Sequence, residues 1–154
     1  DGSACSACNA GQYKVATGSA TCTNCDAGKF KGDTGQTSDT CAACPSFSSA
    51  SAGSTASTAC KCNAGYTGAD GSTCNACVAG KYKAATGSAA CTDCATNKYK
   101  TLTGQASDTC DGCPSNSQSG VGSAAASSCK CNAGYTGADG SACALCVAGK
   151  YKAA

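Results

Sequence analysis

The sequence predicts a small disulfide-rich fold: an elongated tandem array of short irregular β-hairpin modules, with little or no helix and no single hydrophobic core. Three observations lead to this prediction. Cysteine supplies 18 of the 154 residues, large apolar side chains are almost absent, and the cysteine pattern of positions 5–62 recurs at positions 74–131. A cysteine content this high is typical of secreted scaffolds that depend on cross-links.

Large apolar side chains are too few to build an ordinary core. Beyond alanine, the aliphatic residues are four valines and two leucines, and the chain has no Ile, Met or Trp. A small domain must bury enough apolar area to offset the conformational entropy that is lost on folding. The chain therefore needs disulfides, a metal or neighbouring modules to remain ordered.

The dominant repeat superimposes positions 1–69 on positions 70–138. Every cysteine of the first copy recurs at the equivalent position of the second, and 44 of the aligned positions are identical. Agreement at this level is typical of an array in which every copy has the same structure. The predicted domains are cysteine-rich repeat 1 over 1–69, cysteine-rich repeat 2 over 70–138 and the start of a truncated repeat 3 over 139–154.

A shorter and less regular period lies inside each repeat, because most segments that follow a cysteine pair begin alike, as in CNAGQYK at 8 and CVAGKYK at 77. The Gly or Asn three positions after the cysteine suits the positive φ of a tight turn. The alternation of aromatic and Lys after it predicts a short strand with one face inward. On this prediction the lysines point outward.

Paired cysteines fit two chemistries. The first four, spaced C-x2-C-x13-C-x2-C, have nearly the spacing of a tetrathiolate zinc ribbon. The same pairs continue without a gap, one pair per repeat narrows to C-K-C, and no His replaces a Cys. An uninterrupted series favours disulfides over closed four-ligand sites, so a zinc-binding array is the minor alternative. We predict no metal site and no cofactor.

Two disulfide pairings remain open on the residues alone. The simplest closes each loop at its ends, with the pairs Cys8–Cys22, Cys25–Cys41, Cys44–Cys60, Cys62–Cys74, Cys77–Cys91, Cys94–Cys110, Cys113–Cys129 and Cys131–Cys143. It leaves Cys5 and Cys146 without partners, as expected if the chain is cut from a longer array. The rival is a crossed scheme that joins Cys5 to Cys22 and Cys8 to Cys25, and continues in the same way. Closing one loop of about 15 residues stabilises a fold by roughly 3 kcal/mol, so eight loops are enough to hold a chain without a core.

Two tracts of Ser, Thr, Ala and Gly, at 46–59 and 115–128, lack the turn-and-aromatic pattern. More than half of the first tract is Ser or Thr. This hydroxyl density predicts O-glycosylation, with a plain flexible loop as the alternative. The candidate hydroxyls are those of Ser46, Ser48, Ser49, Ser51, Ser54, Thr55, Ser57, Thr58, Ser115, Ser117, Ser119, Ser123, Ser127 and Ser128. The sequence contains no Asn-x-Ser/Thr sequon for N-glycosylation.

The motif C-x2-G-x-[YF], followed by a variable spacer and C-x2-C, covers nearly the whole chain. One copy consists of Cys8, Gly11, Tyr13, Cys22 and Cys25. The motif resembles the small cysteine-rich repeats of tumour-necrosis-factor receptors and, more closely, the ephrin-receptor-like repeats in surface proteins of protists and algae. This resemblance implies an extended, disulfide-linked rod outside the cell, and it favours pairing of neighbouring cysteines within loops.

The phrase CKCNAGYTGADGS occurs at 60–72 and again at 129–141. Its opening C-x-C-x2-G-Y is similar to the closing half of an EGF-like module. The acidic signature of calcium-binding EGF-like modules is missing, because Asp70 and Asp139 stand alone. An Asp beside Gly is typical of a turn. We therefore expect no calcium site in either copy of the phrase.

The charge pattern limits the possible partners and activities. The formal net charge is +2, all basic residues are Lys, all acidic ones are Asp, and there is no His. We expect no nucleic-acid binding, because no strong positive field is present, and no direct membrane insertion, because no run of about 18 apolar residues occurs. Catalysis needs a poised acid, base or nucleophile. The sequence contains no catalytic constellation, so we expect a non-enzymatic protein.

The near-identity of the repeats favours a structural role. We expect the chain to form an extracellular or cell-surface filament, coat or stalk by self-association and periodic stacking of modules, with glycans attached. The aromatic residues predicted to pack within their modules, or else on a neighbouring strand, are Tyr13, Phe30, Tyr82, Tyr99 and Tyr151. The alternative function is a ligand-binding receptor or adhesin ectodomain, which usually needs diverged repeats with an anchor residue. The change from Phe47 to Asn116 is among the few anchor-like differences between the copies.

Overall fold

The computed structural model describes residues 4–152, and over this range the regular structure consists of sixteen two-residue strands and two short 3₁₀ turns. The strands are β1 Gln12–Tyr13, β2 Thr23–Asn24, β3 Lys29–Phe30, β4 Ala42–Ala43, β5 Ser48–Ser49, β6 Lys61–Cys62, β7 Tyr66–Thr67, β8 Asn75–Ala76, β9 Lys81–Tyr82, β10 Thr92–Asp93, β11 Lys98–Tyr99, β12 Asp111–Gly112, β13 Ser117–Gln118, β14 Lys130–Cys131, β15 Tyr135–Thr136 and β16 Ala144–Leu145. The 3₁₀ turns are Ser57–Ala59 and Ala126–Ser128.

Each odd-numbered strand pairs with the even-numbered strand that follows it, which gives eight separate two-stranded sheets within 4–152. In every hairpin the first strand begins at the fourth position after a cysteine, and the second strand begins directly after the cysteine bonded to it. A two-stranded hairpin is marginal in water when it stands alone. The predicted fold class, a disulfide-rich tandem array of short hairpins with almost no helix, is confirmed.

A tight turn precedes each first strand. Gly11 lies directly before β1 with a φ of +78°, and a Cβ at this position would lie 2.1 Å from the carbonyl oxygen of Gly53. Gly80 repeats this arrangement before β9, with a φ of +80° and the same 2.1 Å to the carbonyl oxygen of Gly122. Only glycine fits such a position, because it has no Cβ and tolerates a positive φ.

The chain divides into two compact units. Unit 1 consists of Asp1–Asn63, Thr67–Asn75 and Thr86–Ala89, and unit 2 consists of Ala64–Tyr66, Ala76–Ala85 and Ala90–Ala154. Unit 1 contains β1 to β6, and unit 2 contains β9 to β16. The domain boundaries predicted from the sequence repeat, 1–69, 70–138 and 139–154, stay a prediction.

The buried interior is made of cystine. Among the described residues, eleven apolar side chains are buried, and ten of these belong to cysteines; the remaining one is Ala50. Most of the large apolar side chains that the chain has are exposed, including Leu102 and Val121. Sulfur therefore provides the packing that aliphatic side chains provide in an ordinary domain, and the prediction of a fold without a single hydrophobic core agrees with this burial pattern.

Candidate functional site

The candidate functional site is the repeated module itself. We define a module as the segment from the first cysteine of one disulfide to the residue before the first cysteine of the next. Module 1 is therefore 8–24, module 2 is 25–43, and module 5, the equivalent of module 1 in the second repeat, is 77–93. A structural protein acts through the surface that such a unit presents at regular intervals.

Eight disulfides close the modules within the described part of the chain. They are Cys8–Cys22, Cys25–Cys41, Cys44–Cys60, Cys62–Cys74, Cys77–Cys91, Cys94–Cys110, Cys113–Cys129 and Cys131–Cys143. The Cα–Cα distances lie between 5.6 and 6.0 Å, the usual range for a disulfide. These are the pairs of the loop-end scheme rather than those of the crossed scheme. Each bond spans 12 to 16 residues.

Two cysteines have free thiols: Cys5 is exposed and Cys146 is half-buried. The other cysteines of the zinc-ribbon spacing, Cys8, Cys22 and Cys25, are bonded in disulfides. A cysteine binds a metal ion as the thiolate, and a sulfur atom in a disulfide is not a thiolate. Within residues 4–152, no group of three or more His, Cys, Asp or Glu side chains could hold a metal ion.

Successive modules are joined by the same backbone hydrogen bonds in both repeats. In the first repeat, the amide of Gly11 donates to the carbonyl of Lys31, and the amide of Gly35 donates to the carbonyl of Cys8, both at 2.8 Å. The second repeat has the same two bonds at the equivalent positions, from Gly80 to Lys100 and from Gly104 to Cys77, again at 2.8 Å. The contacts between modules, as well as the folds of the modules, therefore repeat with the period of the sequence.

The prediction that the lysines after the aromatics point outward is wrong for three of them. Lys31, Lys83 and Lys100 are buried, with relative exposures of 3 to 4%. Their ammonium groups donate to oxygen atoms of the protein: Lys31 to the hydroxyl of Thr40, Lys83 to the carbonyl of Tyr66 at 2.7 Å, and Lys100 to a threonine hydroxyl at 2.7 Å. A buried ammonium group needs such partners, because its desolvation is otherwise costly.

These lysines are side chains of the module interior that the sequence analysis missed. Their backbone amides also bond to the following module, as Lys31 does to the carbonyl of Ser54 and Lys100 to that of Ser123, both at 3.0 Å. Each therefore links neighbouring modules with its backbone, while its buried side chain donates to an oxygen atom of the protein. The signal that could have identified two of them is a threonine nine positions further on, at 40 and again at 109.

The doubled phrase at 60–72 and 129–141 folds as a closed loop. The ammonium group of Lys61 pairs with the carboxylate of Asp70, and Lys130 pairs with Asp139 in the second copy. The amide of Gly71 donates to the carbonyl of Cys60 at 2.8 Å. Since each Asp is the partner of a lysine, the phrase presents an ion pair and no cluster of acidic ligands.

The last glycine in each copy of the phrase is required by a close backbone contact. Gly71 has a φ of +77°, and a Cβ added there would lie 2.7 Å from the carbonyl oxygen of Ser57. Gly140, its equivalent, would place a Cβ 2.9 Å from the carbonyl oxygen of Ala126. A larger residue at either position would displace the 3₁₀ turn, so the phrase tolerates little variation at this glycine.

The Ser/Thr tracts are partly engaged in the fold. The hydroxyls of Ser48 and Ser117 donate to the carbonyls of Pro45 and Pro114 at 2.6 Å, and those of Ser54 and Ser123 donate to carbonyls three positions earlier. Ser119 is 8% exposed and donates to the carbonyl of Lys98, so it is a poor acceptor for a sugar. The exposed candidates are Ser46, Ser49, Ser51, Thr55, Ser57, Thr58, Ser115 and Ser127, and Ser128 is half-buried.

The aromatic residues named from the sequence fall into two classes. The half-buried ones are Tyr13, Phe30, Tyr82 and Tyr99. Tyr151 is 89% exposed. The backbones of Tyr13, Phe30 and Tyr99 form isolated parallel bridges to a residue of the following module, as Tyr13 does to Gln36. The aromatic strands therefore take part in the contact between modules.

Phe47 is the bulkiest of the described non-glycine residues that have a positive φ. Its φ is +61°, in the left-handed region, and it is 53% exposed. At the equivalent position the second repeat has Asn116 with a φ of +60°, and the Asn116 side-chain amide donates to the carbonyl of Cys143 at 3.1 Å. Asparagine tolerates this conformation much better than phenylalanine does. The anchor-like difference between the repeats thus lies at a turn that normally takes Gly or Asn.

No family model matches the chain, and a search of curated proteins finds no match to it. No helix in the described part of the chain is long and apolar enough to cross a membrane. The chain is a cysteine-rich array of short hairpins, each closed by a disulfide.

Proposed function

We propose that this chain is a non-enzymatic structural repeat protein, which forms an extracellular filament, surface coat or stalk by self-association of its disulfide-linked modules and carries O-linked glycans on its Ser/Thr tracts. No cofactor, nucleic acid or membrane-inserted segment takes part. We also propose that its repeats are of the ephrin-receptor-like or tumour-necrosis-factor-receptor-like kind, with an EGF-like element in the doubled phrase.

The observation that carries the proposal is the repetition of the contacts between modules. The hydrogen bonds from Gly11 and Gly35 recur from Gly80 and Gly104 with the same 2.8 Å distances. A module whose neighbours are always bound in the same way can be repeated without redesign. Modules at equivalent positions of the two repeats present similar surface groups at a fixed interval, which favours heterologous contacts that do not close into a ring and so propagate as a filament.

The extracellular location rests on the disulfides. Eight bonds close the modules, and ten of the eleven buried apolar side chains of the described residues are cysteines. Disulfides persist in oxidising compartments, whereas cytosolic thiol systems keep cysteines reduced. A protein with an interior of cystine would lose that interior in the cytosol.

Electron microscopy of the purified, oxidised protein tests the proposal. We expect filaments or sheets in which the unit repeats regularly, and we expect them to disappear after reduction and alkylation of the thiols. Mass spectrometry of the same material should find sugars on peptides from 46–59 and 115–128. Particles that remain monomeric over a wide range of concentration, both with and without glycans, would contradict the structural role.

The second candidate function is a receptor or adhesin ectodomain. It is favoured by one observation, the exposed aromatic ring of Phe47 at a position where the second repeat has Asn116. Binding hot spots are enriched in aromatic anchors, and an anchor in one repeat only would give a single site on the array. A monomeric protein that captures a soluble ligand, and loses it in Phe47→Asn, would support this function over the first.

A further inference from the structure

Exposed apolar side chains are concentrated in unit 2. Eight large apolar side chains of the described residues are exposed, and six of them belong to this unit: Val78, Leu102, Val121, Leu145, Val147 and Tyr151. An exposed apolar residue that stands alone is normal on a protein surface. Val78, Leu102 and Val121 are informative, because the first repeat has a different residue at each equivalent position.

Two backbone hydrogen bonds bring these residues to junctions between modules. In each bond a glycine donates to the first cysteine of the preceding module, from Gly104 to Cys77 at 2.8 Å and from Gly122 to Cys94 at 2.9 Å. The segment directly after the cysteine therefore meets the segment directly before the glycine. The exposed residues of these segments that we call the apolar junction surface are Val78 with Leu102 and Ala95 with Val121.

The first repeat has polar residues at the same two junctions. Its hydrogen bonds are equivalent, from Gly35 to Cys8 and from Gly53 to Cys25, both at 2.8 Å. Each junction has one Asp in the first repeat and none in the second. The equivalent residues, all of them exposed, are Asn9 with Asp33 and Asp26 with Ala52. Since the hydrogen bonds and the exposure are the same, the fold does not require the apolar residues of the second repeat.

The Ser/Thr tract changes in the same direction. Three exposed hydroxyl residues of the first tract are replaced by Gly or Ala in the second. They are Ser51, Thr55 and Ser57, and the residues at the equivalent positions are Gly120, Ala124 and Ala126. The second repeat therefore offers fewer sites for the proposed glycans, which would hold two protein surfaces apart. Two independent differences thus make the second repeat the better surface for a protein contact.

We propose that the apolar junction surface binds the same surface of a second copy of this chain, an inference that rests on the proposed self-association. The contact joins two copies through their second repeats and is separate from the contacts that propagate a filament. It leaves the carboxylates and hydroxyls of the first repeats in water. The removal of aliphatic side chains of both copies from water drives the association.

The acidic junctions of the first repeat determine which repeats meet. A shift of one copy by a full repeat would place Asp33 of that copy against the apolar junction surface of the other. Burial of an ionised carboxylate against apolar groups is costly when no cation or hydrogen-bond donor accompanies it. The carboxylates therefore act against the shifted arrangement and favour a contact between two second repeats.

Sedimentation velocity of the full oxidised chain, with its two free thiols alkylated, measures the dissociation constant of self-association. The test variant is Val78→Asn with Leu102→Asp, which copies a junction of the first repeat and so should fold. We expect the dissociation constant to rise at least about tenfold, because two aliphatic contacts are lost and a carboxylate enters the contact. The control is Val15→Ala, which copies the second repeat and removes an exposed aliphatic side chain outside the surface. It should leave the dissociation constant unchanged.

A photo-crosslinking amino acid locates the contact. Mixtures of isotopically labelled and unlabelled chains identify the crosslinks that join two copies. With the crosslinker at position 102, we expect such crosslinks to peptides from 77–121 of the second copy. With the crosslinker at position 33, the equivalent position of the first repeat, we expect none.

The outcomes distinguish this contact from the proposed structural role. If the Val78→Asn, Leu102→Asp variant associates as tightly as the unaltered chain, the contact is refuted, while filaments that still form would leave the structural role in place. A chain that stays monomeric at all concentrations would overturn both. An equal loss of association in Val15→Ala would refute the assignment to this surface. Binding to phosphatidylcholine vesicles that the test variant loses, in a chain that does not self-associate, would assign the surface to a membrane instead.

Discussion

Removing the Cys94–Cys110 disulfide, by replacing both cysteines with Ala, is expected to lower the free energy of unfolding by about 3 kcal/mol. The bond spans 16 residues, and closing a loop of that length removes about 10 cal/mol/K of entropy from the unfolded chain, which is roughly 3 kcal/mol at room temperature. The Cys62–Cys74 bond spans 12 residues, and the same relation gives a value only about 0.3 kcal/mol smaller. Loop length therefore predicts nearly equal contributions from all eight bonds.

The internal repeat provides a matched variant, the removal of Cys25–Cys41. This bond also spans 16 residues, and both Cys25 and Cys94 are completely buried. Urea unfolding, followed by tyrosine fluorescence or circular dichroism without reductant and with the two free thiols alkylated, should give equal losses for the two variants. The dependence of the unfolding free energy on urea should also become steeper, because an unfolded chain with one cross-link fewer exposes more surface.

Two results would refute this reasoning. A loss well below about 1 kcal/mol in both variants would mean that the disulfides do not hold the fold. A difference of more than about 1.5 kcal/mol between the matched variants would mean that equivalent modules are not energetically equivalent, because the chain-entropy relation gives the same value for two loops of 16 residues. An unchanged urea dependence would place the effect in the folded state instead of the unfolded one.

Two further predictions compare like residues in unlike surroundings. Lys100→Ala should cost roughly 3 kcal/mol, since it removes three buried methylene groups and a hydrogen bond, whereas Lys130→Ala, at an exposed ion pair, should cost less than about 1 kcal/mol. Equal losses in thermal unfolding would argue against the burial of Lys100. Gly71→Ala should cost at least about 2 kcal/mol, because the new Cβ meets a carbonyl oxygen at 2.7 Å, while Gly18→Ala, with a φ of +99° and open space around it, should cost about 1 kcal/mol. If Gly18→Ala is the more harmful of the two in denaturant titration, the close contact at Gly71 is not present.

The hairpins were predictable because their determinants are local. A cysteine followed three positions later by Gly or Asn, and then by an aromatic residue, specifies the turn and the first strand within a short segment, as at 8–14. The second strand follows directly after the next cysteine, so the spacing of the cysteines also locates the pairing. The choice between loop-end and crossed disulfides was not available from spacing, because both schemes close loops of similar length.

The lysines are buried by contacts with other parts of the chain, and the alternation of residues within one strand does not reveal those contacts. The sequence predicts that Lys31 lies opposite the inward face of its own strand, but its stem is covered by the loop that follows and its backbone bonds to the next module. A long side chain can bury its methylene groups and still direct its ammonium group to an oxygen atom. Ser119 differs from expectation for the same reason, because the preceding module supplies the carbonyl that its hydroxyl contacts.

All eight disulfides are short-range, since each joins cysteines 12 to 16 residues apart. A nascent chain that enters an oxidising compartment can therefore form each bond as soon as the corresponding loop has emerged, which takes a few seconds at about 5–20 residues per second. No cysteine has to wait for a distant partner, and a closed module withdraws two thiols from incorrect exchange. The gain or loss of one full repeat would leave every other pairing intact, so a gene for such a chain can change in length by recombination without a new folding problem.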